Sequence, residues 1–242
     1  MLHNTFIKSK EFLTKNIAGF LALIYPSNCL ICDRELTEQT SSICFHCYLD
    51  FEYTYYEKQA KENPIHEIFK GRVLIENAFS LLFFKEKNAT QKLLHRIKYA
   101  DGKDLALSMG EVIGEKMMEH SPLLEIDALL PIPLHGKKEF IRGYNQSLKL
   151  AQGISAKTNI PVKDLLNRNV HHASQTKKDR FERWENVANK FALKEQGQPL
   201  PNHIAIVDDV LTTGATMEAA CRVLLAQQPT IKISIITLAI AD

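Results

Sequence analysis

The stretch I-A-I-V-D-D-V-L-T-T-G-A-T, residues 204–216, decides the fold. Ile204, Ala205, Ile206 and Val207 are mostly β-branched and read as a strand buried on both faces, the pattern of a parallel sheet. Asp208 and Asp209 then stand at its carboxyl end. Leu211, Thr212, Thr213, Gly214, Ala215 and Thr216 follow as a loop of small residues that opens a helix. In open α/β sheets ligands bind at the carboxyl ends of strands. A helix opening on free N–H groups suits a phosphate. The two acids would repel a phosphate, but they are placed to accept hydrogen bonds from vicinal hydroxyls. Acid pair and phosphate cradle together describe a site for a sugar 5'-phosphate.

Three other readings compete. A receiver domain would need most of a domain after the acid pair, and only 33 residues follow Asp209. A Walker B strand would need a G-x-x-x-x-G-K-[ST] partner, and Gly110–Lys116 (GEVIGEK) has the wrong spacing. A plain buried strand with a solvated acidic turn does not require Thr212, Thr213, Gly214 and Thr216 in one loop.

Working outward, 242 residues allow one large domain or two unequal ones. Apolar content of 45% and charged content of 24% support a sizeable core. A net charge of +2 does not by itself announce a nucleic-acid partner. Four of the five cysteines form Cys29-x2-Cys32 and Cys44-x2-Cys47, eleven residues apart. Each C-x-x-C turn aims two thiolates at one point, and two turns complete a closed tetrahedral site, hence a structural zinc. Two redox dithiols are the alternative, but neither pair sits in a thioredoxin-like context. Cys221, alone in an expected helix, reads as a buried apolar residue.

Lys8, Lys10 and Lys15 before the apolar run Ile17–Tyr25 imitate a signal peptide. Nine residues are too few to span a bilayer. Residues 5–25 therefore read as an amphipathic helix ended by Pro26, with no stable membrane insertion; a peripheral membrane contact is the alternative. The domain organisation expected is a helix and four-cysteine finger over 1–57, a polar linker over 58–74, and an α/β domain over 75–242.

Within that domain the pattern predicts strands at Phe79–Phe84, Asp127–Pro133 and Ile231–Ile240, besides the core strand. It predicts helices at Ala89–Tyr99, 104–119, Asn145–Thr158 and 214–227, with residues 51–70 as a poorly packed connector. Alternating strands and helices argue for a parallel sheet with helices on both faces. Three cationic segments are candidates for a diphosphate. Lys98-Tyr99 ends a helix before a turn, where a Lys also simply complements the dipole. The loop His135–Tyr144 offers Lys137, Lys138 and Arg142, with Gly136 and Gly143 allowing close approach. The segment Arg168…Gln175-Thr176-Lys177…Arg180…Arg183…Asn186-Val187…Phe191 reads equally as a lid or as a surface loop.

The run 204–216 resembles the motif by which type I phosphoribosyltransferases bind phosphoribosyl diphosphate (PRPP). The order of the cysteine finger, the K-Y turn, the P-x-P strand end, R-G-Y-N-Q (142–146), R…Q-T…R…R…N-V…F and I-V-D-D-V-L-T-T-G-A-T resembles the ComF family. These competence-associated proteins join a zinc finger to a phosphoribosyltransferase-like domain. The resemblance runs from about Tyr25 to the C-terminus and departs from the pattern at Ser174–Lys178, where Lys follows Q-T. It implies that Asp208 and Asp209 contact ribose, that Thr212–Thr216 form the phosphate loop, that Lys98-Tyr99 belongs to the diphosphate loop, and that Arg142 faces the ligand. It also implies Mg2+ with PRPP, a cytoplasmic role in natural transformation, and handling of single-stranded DNA beside a competence helicase. A phosphoribosyltransferase acting on an unidentified acceptor and a non-catalytic PRPP sensor are the alternatives.

Overall fold

The computed structural model describes residues 28–36, 42–99, 102–168 and 190–241. The expected N-terminal helix over 5–25 and most of the basic segment 164–185 lie outside the described residues. The chain divides into two compact units, Met1–Leu49 and Asp50–Asp242. In the first, Asn28 and Glu35 form an antiparallel bridge around the first cysteine turn, and a short helix α1 (Phe45–Leu49) follows the third cysteine.

The second unit holds α2 (Pro64–Phe69), β1 (Ala78–Phe84), α3 (Ala89–Ile97), α4 (Lys103–Met118), β2 (Ala128–Pro131), α5 (Gly136–Arg142) and α6 (Gln146–Thr158). After these come β3 (Leu166–Arg168), β4 (Phe191–Leu193), β5 (His203–Leu211), α7 (Ala215–Gln227) and β6 (Lys232–Ala241). Four strands make one parallel sheet in the order β1-β6-β5-β2. The register places Ile204 opposite Ala128 on one side and Ile233 on the other. Consecutive residues of the central strands β5 and β6 are buried, so both faces are covered, which is why they read as unbroken apolar runs.

Ile204, Ile206, Ile233 and Ile235 pack with Met217, Ala220, Cys221 and Leu224 of α7 and with Ile65 and Phe69 of α2. Cys221 is fully buried, as an apolar residue would be, and burial pushes its thiol up to about 12. The pair α4/α6 covers the other side of β5, with Met109, Ile113, Leu150 and Ile154 buried. A separate antiparallel pair, β3–β4, joins Arg168 to Phe191. No described helix is long and apolar enough to cross a membrane.

Two segments differ from the sequence reading. Residues 51–70 are not a loose connector. Asn63 caps α2 by accepting from the Ile65 amide at 3.1 Å and donates to the Ala78 carbonyl at 2.7 Å. Pro64 starts the helix, and Ile65 and Phe69, four apart on one face, are both fully buried. Polar composition masked a single buried stripe. The stretch His135–Tyr144 is not simply a loop either: α5 forms, with His135 Nδ1 accepting from the Lys137 amide and Gly143 ending the helix at φ +76°.

Gly110 of G-E-V-I-G on α4 and Gly153 on α6 are explained by the α4/α6 crossing. A Cβ on Gly153 would overlap the Leu107 carbonyl oxygen and approach the Glu111 amide nitrogen at 2.7 Å; a Cβ on Gly110 would overlap the Leu150 carbonyl oxygen. Backbone thus rests on backbone. Gly153→Ala should separate the helices and destabilise the protein by about 1–3 kcal/mol despite Ala's better helix propensity. Chemical denaturation measures this, and an unchanged midpoint would show that the crossing yields freely.

Candidate functional site

Asp208 and Asp209 lie where β5 emerges from the sheet, and α6 begins directly beside them. Asn145 starts that helix: its Oδ1 accepts from the Ser147 amide at 2.9 Å, while its Nδ2 donates to the Ile132 carbonyl at 3.0 Å, tying the helix to the end of β2. The next two side chains reach the acids. Gln146 Nε2 donates to Asp209 Oδ2 at 3.2 Å, and Ser147 Oγ donates to Asp208 Oδ1 at 2.7 Å. One residue before the cap, the Tyr144 hydroxyl donates to the carbonyls of Ile97 and Tyr99, the latter at 3.1 Å, fixing the turn that carries Lys98. Burial pushes the Tyr144 hydroxyl up to about 12, so it stays a donor.

Around the acids is a cleft of about 260 Å3, lined by the end of β2 (Ile132, Pro133, Leu134) and by Val210, Thr212 and Thr216. Four cations also line it: Lys98, Lys138, Arg142 and Arg168. Lys138 and Arg142 are four apart on α5 and so share its cleft-facing side. Arg168 lies over the Phe191 ring, 5.7 Å from its centroid. Burial, then the neighbouring charge of Asp209, pushes the Asp208 carboxyl up to about 7; donation by Ser147 acts in the opposite sense. Four cations around two acids, with hydroxyls on one rim, can accept a ligand that carries both hydroxyl donors and concentrated negative charge.

The loop after β5 is shaped from outside. Gly214 adopts φ +75°, and a Cβ there would crowd Ile68 at 3.0 Å and Phe69 at 3.2 Å, so glycine is favoured on both counts. Arg72 donates to the Thr213 carbonyl at 2.9 Å and lies 3.6 Å from Glu218 of α7. Both ends of the loop are thereby held, leaving the Thr212 and Thr216 side chains at the cleft.

Of the residues singled out in the sequence, Asp208, Asp209, Thr212, Thr216, Lys98, Lys138 and Arg142 come together at the cleft. Thr213, Gly214 and Ala215 contribute the loop backbone and first helical residue. The Leu211 side chain turns into the core, and the exposed Tyr99 ring packs on His95 at 4.8 Å between centroids. Gln175 to Val187 lie outside the described residues. Sequence reasoning missed Ser147, Arg72 and the buttress from α2. Ser147 had a signal, since it follows the quoted R-G-Y-N-Q directly. Arg72, 141 residues from its partner, had none.

In the first unit, Cys29, Cys32, Cys44 and Cys47 place their sulfurs within 4.8 Å of one another. Cys29 Sγ lies 3.8 Å from Cys47 Sγ, and Cys32 Sγ lies 3.6 Å from Cys44 Sγ. Tetrahedral thiolate coordination at about 2.3 Å implies sulfur–sulfur edges of about 3.8 Å, so the cluster can hold a metal ion such as zinc. Amides of Ile31 and Cys44 point at Cys29 Sγ from 3.5 and 3.3 Å. Burial pushes that thiol up, but the backbone donors outweigh it and bring it down to about 7; burial drives Cys47 strongly upward.

Residues 145–242 match the model of the phosphoribosyl transferase domain. Competence protein F of Haemophilus influenzae is 33% identical over 100 residues, covering 40% of this chain and 44% of that protein. Competence protein ComFC of Bacillus subtilis is 34% identical over 110 residues, 46% of this chain and 43% of that protein. DNA utilization protein YhgH of Salmonella typhimurium is 28% identical over 142 residues, 55% of this chain and 60% of that protein. The chain thus spans about half the length of the curated relatives it matches. A solved purine phosphoribosyltransferase from Pyrococcus horikoshii Ot3 aligns at 18% identity over 57% of this chain and 72% of that one, with a TM-score of 0.32. The competence-named relatives and the phosphoribosyl transferase domain together support a ComF-like family for this chain.

Proposed function

We propose that the cleft binds PRPP with Mg2+, and that the protein acts in natural transformation by handling single-stranded DNA in the cytoplasm. One observation carries the first part: a single cleft gathers Asp208, Asp209, Thr212, Thr216 and four cations. In this reading the two carboxylates accept from the ribose 2' and 3' hydroxyls. The loop from Thr212 to Thr216 takes the 5'-phosphate on its amides and hydroxyls. Lys98, Lys138, Arg142 and Arg168 face the diphosphate, whose charge Mg2+ shares when bound. The names of the relatives support the second part, as does the cationic rim, because phosphate-rich strands and diphosphates recruit the same side chains. A competence helicase is the corresponding protein partner. The cysteine cluster holds a structural Zn2+, since four thiolates leave no open coordination position. The domain organisation that goes with this reading is a finger within the first unit, Met1–Leu49, and a phosphoribosyltransferase-like domain in the second, Asp50–Asp242.

Calorimetric titration of Mg-PRPP should give saturable binding that an Asp208→Asn/Asp209→Asn double variant loses while ribose-free diphosphate still binds weakly. Equal binding by both proteins would move the ligand out of this cleft. Release of diphosphate on adding a nucleobase or oligonucleotide would turn the binding site into a transferase.

Affinity for a single-stranded oligonucleotide should fall steeply as salt rises, and Mg-PRPP should compete with it if the cations are shared. Salt-independent binding would contradict the DNA reading. For the finger, titrating the thiols with a mercurial should release about one Zn2+ per chain, and Cys47→Ser should abolish retention. Release of no metal, or of a different one, would overturn the zinc assignment.

A further inference from the structure

The acid pair presents a problem that the proposed ligand chemistry does not solve by itself: in the free protein, two adjacent carboxylates must stay ready to accept hydroxyl donors. Asp209 is 6% exposed, and Asp208 accepts from its neighbour's own amide at 2.9 Å. The side chains that reach the pair come from one helix start. Ser147 Oγ donates to Asp208 Oδ1 at 2.7 Å, and Gln146 Nε2 donates to Asp209 Oδ2 at 3.2 Å. Each acid has its own donor, delivered by consecutive residues whose backbone is fixed by the Asn145 cap. The Ser147 amide joins the Asn145 cap, but its side chain does not. Its hydroxyl is spent on the acid.

We infer that Ser147 is a positioning residue that holds Asp208 as an oriented carboxylate, so that this acid reads a sugar hydroxyl instead of carrying its own proton. The inference rests on the reading of the cleft as a ribose site, but its first test does not. A serine hydroxyl has one proton to give. Aimed at Asp208 it favours the ionised form, opposing both burial and the repulsion from Asp209. The charged groups facing Asp208 are Asp209 on β5, Lys98 after α3, Lys138 and Arg142 on α5, and Arg168 on β3. The cations line the same cleft and would be shared with any ligand anion. Ser147 is within direct hydrogen-bond reach, and so it acts on Asp208 before any ligand arrives.

The sign of the effect follows. Burial and the Asp209 charge raise the Asp208 carboxyl to about 7, so this group's contribution to stability is present below about pH 4, is lost as pH rises towards 7 and levels off above it. Removing Ser147's hydroxyl moves that midpoint further up and deepens the loss at alkaline pH. A purely structural role for Ser147 would lower stability by the same amount at every pH.

The test is a carboxyl-carbon NMR titration of protein labelled with 13C-aspartate, with Asp208 assigned from the Asp208→Asn spectrum. Wild type, Ser147→Ala and Ser147→Thr are compared without ligand. Ser147→Ala should titrate about one pH unit higher, and Ser147→Thr should restore the wild-type midpoint. If the alanine variant fails to fold, Ser147→Cys, a weaker donor of similar size, should shift in the same direction by less. An unchanged Asp208 midpoint in a folded alanine or cysteine variant overturns the inference. Mg-PRPP affinity is then followed with pH. The alanine variant should lose about tenfold at pH 6.5 and recover at pH 9, whereas the same factor at every pH counts against positioning. Wild-type protein that ignores Mg-PRPP at every pH would sink the ribose reading alone, since the ligand-free titration still judges the Ser147–Asp208 pairing.

Discussion

Two carboxylates placed side by side at the end of a buried strand are the constraint to which the rest of the domain answers. Neither could be left there alone: burial and mutual repulsion both favour neutralising one of them, and the Asp208 carboxyl is indeed pushed up to about 7. The fold opposes this with hydrogen-bond donors to the acids and gathers cations at the same cleft. Ser147 and Gln146 bond the acids directly from α6, and Lys98, Lys138, Arg142 and Arg168 line the cleft. The close α4/α6 crossing at Gly110 and Gly153 belongs to the same arrangement. Pressing α6 against α4 backbone to backbone fixes the helix whose first turn carries the donors.

The segment from Arg142 to Ser147 does several separate jobs with six residues. Arg142 lines the cleft, Gly143 turns the chain, Tyr144 holds the carbonyls of Ile97 and Tyr99, Asn145 caps α6 and holds the Ile132 carbonyl, and Gln146 and Ser147 hold the acids. The ends of α3, β2 and β5 are therefore registered to one another through a single stretch of chain. Its apolar content is low because nearly every side chain is spent on a hydrogen bond. This explains why it reads as a motif and not as core.

The same contrast explains what was legible in the sequence. The strand at 204–207 and its loop announce themselves because unbroken apolar runs and small-residue turns are local signals, and so are the two C-x-x-C pairs. The placement of Arg142, Asp208 and Asp209 at one cleft follows from their position at strand or helix ends. The α2 buttress stayed hidden because its buried stripe is only Ile65 and Phe69 within a polar stretch. The grip of Arg72 on the Thr213 carbonyl is a contact between distant parts of the chain, which no periodicity encodes. The sequence already singles out Lys138 beside Arg142, and their spacing of four on α5 puts both at the cleft.

The two sides of the cleft differ in how firmly they are built. The acids and their donors belong to β5 and α6, where Leu150, Ala151 and Ile154 are fully buried. By contrast α5, which supplies Lys138 and Arg142, buries no residue, and Phe140 and Ile141 are 91% and 80% exposed. Few buried contacts place a segment at the low-stability end of a fold. Under the proposed reading, the hydroxyl-reading half is thus set before the ligand arrives, while α5 can adjust its cations at little cost in core packing. The division suits the chemistry: hydroxyl recognition depends on hydrogen-bond angles and needs a fixed frame, whereas attraction to a diphosphate falls slowly with distance and tolerates a moving one.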